Sequence, residues 1–337
     1  MNTDSILLDH GSGGLASQEL IRQLFLAHLD HPALAALEDS AVLDNDGGRL
    51  AFTTDSYVVD PIFFPGGDIG MLAVNGTIND LAMRGARPRY LSLGLILEEG
   101  FALSDLERII SSIARSSRGA AVPVVTGDTK VVPRGKGDKI YINTSGIGTL
   151  ADGINISCEG AKTGDLVILS GTMGDHGITV LVNRSAISLE SHLTSDTMPL
   201  HRLVEKLVTE LPDVVHSLRD PTRGGVATAV SEIAQASEVG IILEETAIPV
   251  RPEVRAACEM LGIDPLYLAN EGKCLALVDP RYGKEVLAMM RSRPEGSDSA
   301  VIGQVTEGPA GRVELKTTVG GSRLVTPLTG EPLPRIC

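Results

Sequence analysis

Four aspartates stand in short frames of apolar or small neighbours: Asp39 in EDSAV, Asp55 in FTTDS, Asp80 in NGTINDLAMRGARP and Asp128 in VVTGDTKVV. A carboxylate placed this close to a core is costly unless it is paired or bound to a cation. An all-aspartate set suits magnesium, a hard ion that is normally shared between a few carboxylates and substrate phosphates. Each aspartate alone reads equally well as a helix or turn cap. Taken together, with Lys130 two residues after Asp128, they read as a cation-and-phosphate site whose metal ligands are Asp39, Asp55, Asp80 and Asp128. Glu38 directly precedes Asp39, and the sequence leaves open which of the two faces the metal. Asn75 and Asn79, four residues apart, put two amides on one helical face beside Asp80, and Asn75 is a candidate for the nucleotide side of the site. The run HGSGG brings Gly11, Gly13 and Gly14 together, either as a simple turn or to let backbone amides approach phosphate. The chain has no G-x-x-x-x-G-K-[ST] loop, which excludes a P-loop nucleotide site.

A second kind of chemistry is offered by Cys337, the last residue of TPLTGEPLPRIC. Exposed thiols are reactive and are usually avoided, so Cys337 is either incidental or the working group. Pro327, Pro332 and Pro334 favour an extended, poorly packed segment over 326–337. Polyproline-like geometry, at ~3.1 Å per residue, gives those twelve residues a reach of roughly 35 Å. Cys158, Cys258 and Cys274 lie in apolar stretches and read as small core residues; no C-x-x-C pair argues for zinc or a disulfide framework. Glu271, in ANEGK before an apolar run, is the candidate general base. His10 and His176 are alternatives for proton transfer, or else capping groups.

These residues need elements to position them. A length of 337 residues favours two domains, and 43% hydrophobic with 21% charged residues is ordinary for a globular chain. The formal charge of -14 argues against a nucleic-acid partner. No long apolar run or N-terminal signal pattern is seen, so no membrane association and a cytoplasmic location are expected.

RLAFTTDSYVV and KIYINTSGIGTL read as strands, and DIGMLAVNGTINDLAMRGA as a helix stopped at Gly85. SDLERIISSIARSSRGA reads as a helix with a Ser104/Glu107 capping box, an apolar face of Leu106, Ile109, Ile110 and Ile113, and a stop at Gly119. A second α+β unit follows, with strands DLVILSG, KCLALVD, SAVIGQVTE and RVELKTT and helices LHRLVEKLVTEL, GGVATAVSEIAQASEVG and GKEVLAMMRS. The boundary falls near 150–160, and no internal repeat is visible.

TTDS, NDLAMRGARP and GDTKVV resemble the nucleotide-binding half of the aminoimidazole ribonucleotide (AIR) synthetase superfamily, which includes selenophosphate synthetases and thiamine-monophosphate kinases. DHGSGG, SGTMGDHG, RDPTRGGVATAVSEIA, LANEGKCLALV and the closing PRIC resemble the HypE family of [NiFe]-hydrogenase maturation factors, over nearly the whole chain. The resemblance implies a mixed α+β, two-domain fold: an arm and helix over 1–38, an ATP-binding dimerisation domain over 39–152, an α+β domain over 153–325 and a mobile tail over 326–337. It also implies a homodimer formed through the first sheet, with Mg-ATP at the subunit interface. HypF would supply a carbamoyl group to Cys337, ATP-dependent dehydration would turn it into a thiocyanate, and the HypC–HypD complex would receive the cyanide. In that chemistry Asp39, Asp55, Asp80 and Asp128 would hold Mg-ATP, Lys130 would bind phosphate or developing charge, and Glu271 would take the amide proton. Two other readings are a kinase or synthetase of a free small molecule, with Cys337 incidental, and an ATP-gated adaptor whose tail is a docking peptide.

Overall fold

The computed structural model describes residues 6–29, 31–184, 192–330, 333 and 335–337. Two short helices, α1 (Leu15–Leu20) and α2 (Pro32–Ala35), precede β1 (Ala41–Asn45), β2 (Gly48–Tyr57) and a small hairpin of β3 (Phe63–Phe64) and β4 (Gly67–Asp68). Then come α3 (Ile69–Met83), β5 (Arg87–Glu98), α4 (Leu103–Ala120), β6 (Val124–Val132) and β7 (Ile140–Leu150). The first sheet has the order β1-β2-β7-β5-β6 and is antiparallel except for β5 and β6, which α4 joins as a parallel pair.

Strand β2 alternates, with Ala51, Thr53 and Tyr57 buried and Phe52, Thr54 and Ser56 exposed. Its inner face therefore meets helices while its outer face meets solvent. On that outer face Phe52, Tyr90, Ile96 and Ile147 are 42–52% exposed, which leaves an apolar surface on the sheet. Helix α3 covers the inner face and is apolar on nearly all sides. Asp68 caps it by accepting from the amides of Gly70 (2.8 Å) and Met71 (2.9 Å), and Gly85, at φ +71°, ends it as the sequence predicts. Gly76 is required for close approach, since a Cβ there would lie 2.2 Å from the Tyr57 hydroxyl.

Helix α4 departs from expectation at both ends. Its N-cap is Ala102, with Ser104 already inside the helix, so no Ser104/Glu107 capping box forms. The helix runs through Gly119 and stops at Ala121, which takes the left-handed conformation (φ 59°) that glycine adopts more readily. Ile109 and Ile113 are buried, whereas Ile110 sits at the edge of the apolar face and is 38% exposed.

The second sheet is built from β8 (Leu166–Leu169), β9 (Val215–Arg219), β10 (Gly240–Glu244), β11 (Leu275–Val278), β12 (Ala300–Thr306), β13 (Val313–Lys316) and β14 (Ser322–Val325), in the order β14-β13-β10-β12-β8-β11-β9. Its helices are α5 (Asp175–Arg184), α6 (His201–Glu210), α7 (Gly225–Ala236), α8 (Pro252–Leu261) and α9 (Gly283–Arg291). Strand β11 is buried at all four positions because both faces are covered. Leu275 and Leu277 pack with Val226, Val230 and Ile233 of α7; Ala276 and Val278 pack with Leu203 and Leu207 of α6 and Val286 of α9. Ala82 and Met83, at the end of α3, enter this second core, so the helix that lines the first sheet also fastens it to the second. Burying a side chain such as Met83 contributes about 1.5–3 kcal/mol.

The cap of α4 yields a stability prediction. Ala121→Gly removes the left-handed Cβ conflict at an exposed position and should raise the free energy of unfolding by about 0.5–1 kcal/mol in urea denaturation. An unchanged or lower value would contradict the cap assignment.

Candidate active site

The two sheets meet at a group of carboxyls. Asp55 projects from the inner face of β2, and Asp80 comes from α3 above it; Thr53 Oγ1 lies within hydrogen-bond distance of Asp80 Oδ2 (2.9 Å) and of the Asp39 carbonyl (3.0 Å). Asp39, just before β1, pairs through Oδ1 with the Arg219 guanidinium at 3.1 Å. Arg219 closes β9 and also holds Glu232 of α7 at 2.7 Å; Asp220 follows it directly. Glu271 arrives from the loop before β11 and is 3% exposed. Glu38 turns away: it pairs with Arg84 at 2.9 Å and accepts the Cys158 amide at 2.9 Å. Of the two neighbours, Asp39 is therefore the one that faces the group.

These carboxyls raise one another. For Asp80, burial and then the charges of Asp220, Asp55 and Asp39 push the pKa well above the usual carboxylate range. Burial does the same to Asp39, against the pull of Arg219, and to Glu271, with the help of Asp196, Asp220 and Asp55. Burial lifts Asp220 to about 6, with Arg219 opposing and Asp55 adding to the rise. Asp39 Oδ2, Asn75 Oδ1 and Glu271 Oε1 are buried acceptors without a hydrogen-bond partner. Acceptors in excess of donors fit a cation and the ligands it carries. Among the described residues, no three His, Cys, Asp or Glu side chains converge closely enough to hold a metal ion by themselves. The arrangement therefore suits an ion that shares its coordination with phosphate oxygens.

Side-chain amides hold the loops in place. Asn79 donates to the carbonyls of Met198 (3.1 Å) and Glu271 (3.3 Å) and accepts the Leu200 amide (2.8 Å). Asn270 donates to the carbonyls of Pro221 (3.0 Å) and Leu268 (2.9 Å) and accepts the Gly174 amide (2.7 Å), tying three loops together. Asn75 donates to Thr197 Oγ1 (3.2 Å). Asp196 accepts the Glu271 amide (3.0 Å); although burial disfavours its charge, Lys273 at 3.1 Å keeps its pKa below the usual range.

Asp128 and Lys130 do not join this group within the chain. They lie on the edge strand β6, exposed and paired with each other at 2.7 Å. Asp128 sits opposite Gly94, which sits opposite Asn143, on the outer face of the sheet, whereas Asp55 occupies the inner face. The glycine run also differs from a free phosphate loop: the Gly13 amide donates to Ser17 Oγ (3.0 Å) and the Gly14 amide to Ser12 Oγ (3.2 Å). A Cβ on Gly14 would lie 2.1 Å from the Leu328 carbonyl oxygen, so this glycine makes room for the tail; the Gly11 carbonyl accepts from Arg223 (3.0 Å). His10 accepts the Leu7 amide through Nδ1 (3.0 Å), a local capping contact. Cys158, Cys258 and Cys274 are buried as expected, and burial raises the Cys258 thiol to about 11 and the Cys274 thiol to about 12.

The end of the chain is packed rather than loose. Leu333 and Ile336 are buried in the core of the first sheet, while Pro332 and Pro334 lie outside the described residues. The Val58 amide donates to the Cys337 carbonyl (3.0 Å) and the Asp60 amide to the Arg335 carbonyl (3.2 Å), so the tail pairs with the chain just beyond β2. Arg335 donates to the Val58 carbonyl (2.7 Å) and pairs with Asp138. Val58 follows Tyr57, whose hydroxyl is raised by burial and then by the charges of Asp55 and Asp80, with Glu271 adding to the effect. Cys337 thus lies alongside the residues that border the acidic group.

Sequence reasoning did not single out Asp220, Arg219, Glu232, Asp196 or Lys273 as site residues. RDPTRGG was visible as a motif, and an aspartate set between an arginine and a proline was the available signal for Asp220.

Family models for AIR synthase related proteins match the chain twice, the N-terminal domain over residues 37–150 and the C-terminal domain over 162–316. The carbamoyl dehydratase HypE of Azotobacter vinelandii is 49% identical over 337 residues, covering 100% of this chain and 98% of that protein. The carbamoyl dehydratase HypE of Escherichia coli K12 is 48% identical, over 99% of this chain and 100% of the relative. A crystal structure of the hydrogenase maturation protein HypE in complex with ATP is 51% identical, with a TM-score of 0.84 over 99% of this chain and 100% of that one. A chain from a crystal structure of a HypE–HypF complex is 46% identical, with a TM-score of 0.87 over 92% of this chain and 99% of that one.

The raised carboxyls make stability depend on pH. A folded protein that keeps protons which the unfolded chain releases is favoured at low pH, so the contribution of Asp220 is complete below about 4 and is lost as pH rises towards about 6. In metal-free protein without nucleotide, Asp220→Asn should remove a loss on the order of 2–3 kcal/mol across that window. Calorimetric melts from pH 4 to 7 should show a flatter profile for the variant. Identical slopes would rule out the shift.

Proposed function

The chain belongs to the HypE family of AIR synthase related proteins, the carbamoyl dehydratases of hydrogenase maturation, and we propose that it dehydrates a carbamoyl group carried on its own Cys337. The observation that carries this reading is the backbone pairing of Cys337 with Val58, which lies three residues beyond Asp55 on the same stretch of chain.

An amide oxygen is a poor leaving group, and phosphorylation makes it a good one. The carbamoyl oxygen attacks the γ-phosphorus of ATP and one N–H proton is lost, giving an S-linked O-phosphoryl imidate and ADP. Loss of the second N–H proton, with cleavage of the C–O bond, forms C≡N and releases inorganic phosphate. Both protons come from the amide nitrogen; the oxygen removed ends in phosphate, one proton with it, and the other proton is released to solvent. Glu271 is suited to accept a proton, because burial makes its carboxylate a stronger base than a solvated one. Asp39, Asp55 and Asp80 would share bound magnesium with the triphosphate oxygens, no one ion being held by all three, and magnesium would supply charge neutralisation and alignment for in-line transfer.

The apolar outer face formed by Phe52, Tyr90, Ile96 and Ile147 supports a homodimer through the first sheet. Asp128 and Lys130 lie on this same face, so we place their metal and phosphate roles across that interface, toward a second copy. Carbamoyl transfer from a HypF protein and cyanide delivery to an iron centre held by HypC–HypD complete the sequence of reactions. The relative seen with HypF and the relative seen with ATP support the donor and nucleotide assignments.

The decisive assay incubates the protein with a HypF carbamoyl-donor system and Mg-ATP and weighs the peptide that contains Cys337. A carbamoyl adduct that then loses the mass of one water is expected. Glu271→Gln should accumulate the adduct while nitrile formation slows by about 10²–10⁴-fold. ATP turnover with an unmodified tail would overturn the proposal.

A further inference from the structure

We propose that helix α5 is a clamp for the tail, in which His176 and Arg184 hold the carbonyl oxygens of Ile336 and Arg335 and so position Cys337 for dehydration. The proposal rests on the reading of Cys337 as the carrier residue. His176 is fully buried and stands edge-on to Phe64, with ring centroids 5.5 Å apart. Its Nε2 lies 2.8 Å from the Ile336 carbonyl and its Nδ1 lies 2.8 Å from Ser195 Oγ. A carbonyl only accepts, so Nε2 carries the proton; Ser195 accepts the Thr197 amide (3.2 Å) and donates its own proton to Nδ1. Two turns further along the helix, Arg184 donates to the Arg335 carbonyl (2.6 Å) and to the Asp60 carbonyl (2.7 Å), joining the tail to the segment beyond β2.

With the Val58 and Asp60 amides, these groups engage the carbonyl oxygens of all three residues from Arg335 to Cys337. Ile336 adds a buried side chain. Arg335 takes a left-handed backbone (φ 55°), a conformation that a non-glycine residue keeps where its surroundings fix it. All of these contacts fall on the main chain or on Ile336. They therefore survive replacement of the thiol hydrogen by a carbamoyl or cyano group, and one clamp serves the carrier before and after the reaction. The loop that orients His176 through Ser195 also fixes Glu271, because the next residue, Asp196, accepts the Glu271 amide at 3.0 Å. Tail and base are thus set by one short segment, Ser195 to Thr197.

The test uses full-length protein and a maleimide as thiol probe, with labelling of Cys337 read by peptide mass. His176→Leu and Arg184→Gln should speed labelling by about five- to tenfold, the effect of losing one such hydrogen bond. His176→Gln, which keeps a donor and an acceptor, should stay within about threefold of the parent. Nitrile formation per carbamoylated tail should fall in the same order, while the nucleotide-dependent rise in melting temperature is retained. Should His176→Leu fail to fold, the half-buried Arg184 carries the test. Labelling rates unchanged in folded variants, or nitrile formation slowed without faster labelling, would overturn the clamp. Labelling that responds as expected, in a protein whose parent forms no nitrile, would support the clamp and sink the functional reading.

Discussion

The structure depends on a crowding of carboxyls that the protein alone does not neutralise. Asp39, Asp80, Asp220 and Glu271 are drawn together at the junction of two sheets, with Asp55 beside them, and Arg219 is already shared between Asp39 and Glu232. In a low-dielectric setting such a group answers in one of two ways: it retains protons or it takes up a cation. The raised pKa values of Asp39, Asp80, Asp220 and Glu271 mark the first tendency. A magnesium nucleotide would offer the second, and the electrostatic cost of folding would then be a source of affinity for it.

The architecture serves to hold this group against its own repulsion. Helix α3 places Asp80 and its two asparagines on one sheet while its last turn enters the core of the other. Asn270 ties the loop before β11 to the loops that follow β8 and β9. Against this rigid frame the described residues of the tail are held by a handful of polar contacts and the buried side chains of Leu328, Leu333 and Ile336.

Much of this was legible in the sequence where the determinants are local. The stop at Gly85 ends α3 as read, and RLAFTTDSYVV forms β2, although the alternation of Leu50, Phe52 and Val58 misplaced its inner face: Ala51, Thr53 and Tyr57 are buried and Phe52 is exposed. Asp39, Asp55, Asp80 and Glu271 stood out as carboxylates among small or apolar neighbours. Asp128 has the same kind of frame yet stands apart, because residue type does not reveal sheet order or the face on which an edge strand presents its side chains. Asp220 went unmarked because its importance arises from a neighbour 140 positions earlier in the chain, Asp80. The tail prolines suggested extension, while the packing of Leu333 and Ile336 depended on a core that only folding creates. For α4, the S-x-x-E pattern was present, but the helix starts just upstream of it.

The central claim is that the carboxyl group exchanges protons for a cation-bearing nucleotide. Isothermal titration of Mg-ATP into the protein at pH 6, in buffers of different ionisation enthalpy, tests it most directly. Binding should be accompanied by net proton release, and that release should shrink in Asp220→Asn. Tight binding with no proton exchange, or with proton uptake, would contradict the account.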